Sequence, residues 1–356
     1  MLTRREFTIA ALAAGGCAFI GSAKAQSYAG QTLRFATYGG TWQGWIADSV
    51  EPIFRARTGA TIQYVPGVPV QHLSTMVAAR GQQPPFDVVS LTDDVAYEAA
   101  SQGLIQTKVD AKLIPNLSKL PSAWRENQFH GPADFASLAG ILYDADKFQA
   151  EGIPIPTDWD SLSQPKLAGR IAIPDITFTY KQFYAAINLL KKGDETNFDG
   201  SIEWVKSLKN PIIFSDFPTL QTRFNSGEIW ALVGLSGYIN RWPGRNIKLV
   251  LPPVANKRGI LVLSTIAPTH GTPKAELAQL WIDSFISDEA QTSLVTKFGY
   301  APVNMDVART AAQDPRLKPL VLSDLDQINA LYDPDWGKVN AVYPEWIDKW
   351  NRAVRN

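Results

Sequence analysis

Cysteine is nearly missing from this chain. Cys17 stands alone among 356 residues, so no intrachain disulfide, paired-thiol redox chemistry or Cys-ligated metal centre is available. Histidine is almost as scarce: His72, His130 and His270 form no i, i+4 metal pair, and no Asp-rich calcium loop occurs. Neither sign of charge is in excess. With 34 Lys+Arg against 34 Asp+Glu, the chain lacks the basic surplus that nucleic-acid binding requires, and no nucleic-acid partner is expected. No apolar run after residue 25 reaches 18 residues, so no membrane-crossing helix is expected there. There is no internal repeat, low-complexity tract or Gly/Ser linker.

What is present is bulk for a core. The length suggests two domains of about 150 residues each. A composition of 45% hydrophobic and 19% charged residues reads as globular. Eleven tryptophans exceed ordinary core needs and suggest aromatic pocket walls.

The first 25 residues read as an export signal. "MLTRREFTIAALAAGGCAFIGSAKAQ" carries Arg4-Arg5 and Phe7, an apolar stretch from Ile9 to Ile20, and Ala23-Lys24-Ala25 as an A-x-A cleavage site. The apolar stretch is roughly 12 residues, too short to cross about 30 Å of hydrocarbon. Thr-Arg-Arg-x-Phe resembles a twin-arginine signal, with ordinary Sec export as the alternative. Gly15-Gly16 before Cys17 also permits a lipoprotein reading, but Ala14 and the continuing apolar run disfavour it. Cleavage after Ala25 would remove the single cysteine and leave the chain near neutral. The expected location is the periplasm.

Beyond the signal, strands alternate with helices. "LRFAT" reads as a strand and Trp42–Thr58 as a helix that Pro52 should kink and Gly59 stop. "TIQYVPG" and "FDVVSL" follow as strands, each trailed by a helical pattern. A second unit runs through "RIAIPD", "TYKQFYAAINLLKKG", "IIFSD" and "IWALVGLSGY", then "IKLVLPP" and "ILVLSTIAP". The tail from about Pro319 reads as helical, with Trp336, Trp346 and Trp350. This alternation predicts an α/β protein on mostly parallel sheet.

Chemistry-bearing residues gather where strands end. "FATYGGTWQGW" has Tyr38, Gly39, Gly40, Thr41 and Trp42 after the first strand. The spacing is not G-x-G-x-x-G, so a dinucleotide site is disfavoured. Two readings stay open: a tight turn with Thr41 capping the helix, or a loop whose glycines and free helix N–H groups meet an anion. "LTDDVAYEAASQGLI" places Thr92, Asp93 and Asp94 at the next junction, where acids also favour the helix dipole. "IPDITFTYKQF" repeats the arrangement at Asp175. "GLSGY" approaches the G-x-S-x-G nucleophile elbow but ends in Tyr238. A hydrolase using Ser236 therefore stands as the enzyme alternative. Ligands of open α/β sheets bind at strand carboxyl ends, which points to a cleft lined by Tyr, Trp, Thr and Asp.

The order of "FDVVSLTDD…ASQGLIQ", "WDSLSQPKLAGRIAIPD", "NSGEIWALVGLSGY", "STIAPTHGTPKAELAQLWIDSFIS" and "FGYAPVN" resembles the periplasmic solute-binding proteins of ABC importers, most nearly the spermidine/putrescine-binding group. The resemblance implies a two-lobed type II periplasmic binding protein fold with the ligand cleft between lobes. Lobe 1 would take 27–134 and 262–320, lobe 2 would take 135–261, and 321–356 would form C-terminal helices packing across lobe 1. It implies a monomer without cofactor or metal, performing no catalysis, with a permease and an ATPase as partners. Its pocket pattern falls on Tyr38 to Trp42, Thr92 and Asp93, Thr177, Phe178 and Tyr180, Ser236 and Tyr238, Tyr300, and Trp336. Leu235, Leu261 and Leu263 stand where the polyamine proteins carry Trp, an aromatic and an acid, and the acids expected near 177–180 are Thr or aromatic. Ferric-binding relatives use adjacent tyrosines, and no Tyr-Tyr pair occurs here. The expected solute is accordingly a small polar organic amine, amino-acid-like or zwitterionic compound. Its anionic end would meet Gly39-Gly40 and its cationic end Asp93 and the aromatics.

Overall fold

The computed structural model describes residues 28–125, 131–178 and 181–355. The export signal, Cys17 and Tyr180 lie outside the described residues.

Nine strands appear in chain order: β1 (Thr32–Thr37), β2 (Thr61–Pro66), β3 (Val88–Thr92), β4 (Ala133–Asp144), β5 (Ile171–Pro174), β6 (Ile212–Phe214), β7 (Ala231–Leu235), β8 (Ile247–Val250) and β9 (Ile260–Pro268). Among the described residues they form one sheet in the order β2-β1-β3-β9-β4-β7-β5-β6, with β8 also on β4. β1 runs parallel to β2 and β3, and β5 parallel to β6 and β7. Each parallel group is the sheet of one half of the molecule, with helices supplying the crossovers. The predicted α/β alternation is thus present.

The halves meet through β4 and β9. β4 is twelve residues long and buried throughout. Its first part pairs with β9 from Ala133 to Ala139, and its second pairs with β7 and β8 from Ala139 to Asp144. β9 in turn pairs with β3 through Ser264–Pro268. Residues 134/135 and 261/262, the expected lobe boundaries, therefore fall inside shared strands. A third crossing runs beside them, where Tyr332 N–H donates to the Gly259 carbonyl (2.8 Å) and Leu261 N–H to that of Tyr332 (2.9 Å).

The first half packs apolar side chains on both faces of its sheet. One cluster centres on Phe35, Phe54, Trp281 and Phe285, the other on Leu73, Phe86, Val89 and Val95. The second half buries Phe183, Tyr184, Phe198 and Trp204. Pro52 acts as predicted: the long helix is split at Val50 into Thr41–Ser49 and Glu51–Thr58.

The tail spans both halves. Leu322, Ile328 and Leu331 join the first-half core, and the helix Trp336–Trp350 lies across the junction: its first turns meet Asp93, Asp94 and Tyr97 of the first half, while Trp346 and Trp350 pack into the second. Trp346 stacks on Phe198 at 5.1 Å, and Trp350 meets Tyr184 edge-on at 5.3 Å. Their indole N–H groups donate to the Thr196 carbonyl (2.9 Å) and to Asp175 Oδ2 (3.2 Å). Flat indoles find partners among aromatics, and the second half holds those aromatics.

Candidate functional site

β1, β3 and β5 end at the junction of the halves, as does β7, and each hands over a loop of the residues singled out above. β1 ends at Thr37 and leads into Tyr38-Gly39-Gly40. Gly40 has φ 66, a left-handed turn that favours glycine. It starts the helix Thr41–Ser49 without any side-chain cap, so Thr41 does not cap. Its Oγ1 instead accepts a hydrogen bond from Arg241 Nη1 (3.2 Å), reaching over from the other half. The first helical N–H groups keep their positive partial charge.

Trp42 packs into the first-half core. It turns inward, 5% exposed, with its N–H on Thr37 Oγ1 (3.1 Å) and its ring against Phe135, Phe298 and Tyr300. The apolar face of its helix faces the core, and Trp42 lies on it beside Trp45 and Ile46. Tyr38 is half-buried at the edge of the same cluster. Burial raises its hydroxyl pKa well above the ordinary value, and Tyr300, Asp94, Tyr238 and Asp134 add to the effect as neighbouring charges. Those neighbours come from both halves.

At the end of β3, Asp93 and Asp94 open the helix Asp93–Ser101 with Thr92 before them. The dipole accounts for acids here but not for their partners. Asp93 Oδ2 accepts from Trp336 Nε1 at 3.4 Å. Burial, then the nearby Asp333, raise the Asp93 pKa well above the carboxylate range. Asp333 itself is lifted to about 6 by burial and by Glu195. Burial acts on Asp94 as well, but the Lys181 ammonium at 2.9 Å and the Thr92 hydroxyl outweigh it and hold its pKa below the usual value.

In the second half, Asp175 organises the loop after β5. Its Oδ1 accepts from the Thr177 N–H (3.0 Å) and hydroxyl (2.6 Å). Thr177 is exposed, and Phe178 packs on Phe214 at 5.7 Å. After β7, Ser236 is fully buried. Its hydroxyl is hydrogen-bonded with that of Ser137 (3.0 Å) and accepts from the Leu138 N–H (3.3 Å). An enclosed hydroxyl engaged in this way is not an exposed nucleophile. Its sequence neighbourhood resembled an elbow, but a 3-10 turn, Ser236–Asn240, follows instead of a helix. Tyr238 packs on Phe217 at 5.1 Å. Gly237 lies against the Tyr300 ring so closely that a Cβ would overlap it, and Tyr300 stacks on Phe135 at 4.9 Å.

The structure thus brings Tyr38, Asp93, Tyr238, Tyr300 and Trp336 to one seam, with Trp42 behind Tyr300 and Ser236 turned onto Ser137. Sequence reading missed Lys181, Asn340, Asp134 and Arg241. One signal was available: Lys181 is the first residue of the helix Lys181–Lys192, where a cation opposes the macrodipole and needs an anion from elsewhere. Arg241 carried no such mark. Its guanidinium lies between Phe217 of its own half and Phe298 of the other, at 4.8 and 4.9 Å.

Residues 52–319 match the family of bacterial extracellular solute-binding proteins, and the chain belongs to that family, whose members bind solutes and catalyse nothing. No curated protein matches. Solved structures share the fold. An ABC transporter chain from Clostridium perfringens is 24% identical with a TM-score of 0.69, covering 90% of this chain and 99% of its own. AgtB from A. tumefaciens R10, in complex with agropinic acid, is 17% identical with a TM-score of 0.71 over 92% of this chain and 99% of its own. AfuA from Actinobacillus pleuropneumoniae, with fructose-6-phosphate bound, is 20% identical with a TM-score of 0.71 over the same shares. Among the described residues no helix is long and apolar enough to cross a membrane.

Proposed function

We propose that this chain is the exported receptor of an ABC importer. It closes two lobes over a small polar organic solute of amino-acid-like or zwitterionic type and presents the closed form, as a monomer, to a permease driven by an ATPase. The carrying observation is the convergence on Tyr38, whose hydroxyl has charged or ionisable neighbours from both halves. A solute there touches both lobes and so favours their closure over the open form. The lobe division near 134/135 and 261/262 goes with this proposal.

The solute class follows from the charges. The uncapped N–H groups after Gly40 and the Arg241 guanidinium suit an anionic group. The Asp93 carboxyl, held by the Trp336 indole N–H, suits one ammonium. A diamine would need a second anion, because an unpaired buried ammonium is costly, and Asp94 is already engaged by Lys181. The neighbour seen with fructose-6-phosphate is consistent with the anionic half of this reading only.

A thermal-shift screen of amino acids, GABA-like zwitterions, opines, sugar phosphates, thiamine and polyamines tests the reading. A solute at about 100 times its Kd adds about 2.7 kcal/mol, a shift of several degrees. A zwitterion hit supports the proposal, whereas hits confined to polyamines overturn the solute class. Delivery to the periplasm by the twin-arginine route rests on Arg4-Arg5 and is checked by R4K/R5K, which should abolish export of the full chain; unchanged export would exclude that route.

A further inference from the structure

We propose that Lys181 is a tethered ammonium: it fills the cation site at Asp94 from within the protein, latching the lobes together and barring a second ammonium from the cleft. The inference rests on the proposed closure of the lobes over a solute.

Asp94 starts a helix of the first half, and Lys181 starts a helix of the second. Nζ and Oδ2 are 2.9 Å apart, with both side chains less than a tenth exposed. The same ammonium donates to Asn340 Oδ1 at 3.2 Å and lies 4.0 Å from the centre of the Tyr343 ring. Asn340 in turn donates from Nδ2 to the Asp94 carbonyl at 2.9 Å. A carboxylate, an amide oxygen and an aromatic face are what a receptor offers a ligand's ammonium. Here the protein supplies the guest as well as the host.

The placement has no local explanation. A cation in the first turn opposes the helix dipole, so Lys181 does not serve its own helix. Burying the pair carries a desolvation cost that close geometry must offset, and that geometry exists with the lobes in contact. Opening would return both charges to water.

Lys181→Ala vacates the ammonium site while leaving its surroundings. Without any solute, K181A should melt several degrees lower and show a larger radius of gyration by X-ray scattering. Millimolar n-propylammonium should restore both in K181A, while leaving wild type and K181A/D94N unmoved. Putrescine should bind K181A at least about tenfold more tightly than wild type. Equal response of K181A and K181A/D94N to the amine, or an unchanged melting point and radius in K181A, overturns the proposal. Should K181A fail to fold, its refolding yield is compared in n-propylammonium and sodium chloride; a gain with the amine supports the proposal and equal yields overturn it. None of these readouts uses the transported solute, so an empty solute screen leaves them intact.

Discussion

Gly237 has no side chain where Tyr300 needs the space. A Cβ there would overlap the Tyr300 ring, and the two residues belong to opposite lobes. Gly237→Ala should therefore hold the lobes apart, lowering solute affinity by about tenfold or more and enlarging the scattering radius. G237A/Y300A should recover the closed dimensions. Equal radii for G237A and wild type would mean the ring swings aside. Asp134 supplies a second test. Burial raises its pKa to about 6, against the Ser90 and Ser264 hydroxyls that favour the charged form. The folded state then holds a proton that the unfolded chain has released, so this group's contribution to stability falls as pH rises from about 4 to 6 and is constant above. Relative to D134N, the wild type should lose at most about 3 kcal/mol across that window; parallel urea-denaturation curves at pH 4 and 7 would refute it. Asp93 is also shifted upward, so a cationic solute should expel a proton on binding. Calorimetry in buffers of different ionisation enthalpy reads that proton, and buffer-independent heats would argue against contact with Asp93. That Tyr38 and Asp93 stand at strand ends was legible in the sequence, because α/β alternation fixes where strands stop. The inward turn of Trp42 was not, because the first turn of an amphipathic helix can face either way and its burial is decided by Phe135 and Tyr300, both distant in sequence.

Elements were read best where local chemistry acts alone. Pro52 divided its helix as a proline near a helix start should. β4 was not read as a strand, because a strand buried on both faces shows no alternation and looks like any apolar run. The helix Trp336–Trp350 was read as a helix, but not where its last turns pack, since that depends on Phe198 and Tyr184 some 150 residues earlier. Trp350→Ala should cost about 3–5 kcal/mol and deprive Asp175 of its indole donor. The loop holding Thr177 should loosen with it. A normal melting temperature in W350A would show that the tail does not brace the second half.

At the scale of the whole molecule, the shared strands make the lobes two ends of one sheet. In the proposed closure their relative motion is taken up along β4, β9 and the crossing at Tyr332, and cross-lobe contacts such as those at Gly237, Arg241 and Lys181 bias where it stops. The family and the two-lobed plan could be read from segment order. The charge balance of the seam could not, because it depends on side chains from Asp94 to Asn340 meeting in space.

The position of β9 also has a consequence for how the chain is made. β9 lies between β3 and β4 in the sheet, yet its residues, Ile260–Pro268, emerge late in synthesis. The first half cannot complete its sheet until then, whereas β5, β6 and β7 of the second half are contiguous in the chain. Pairings of high sequence separation form slowly. Of the two groups of strands, the one begun first is therefore the one finished last, and a nascent chain stalled before residue 260 would hold a sheet with its middle strand missing.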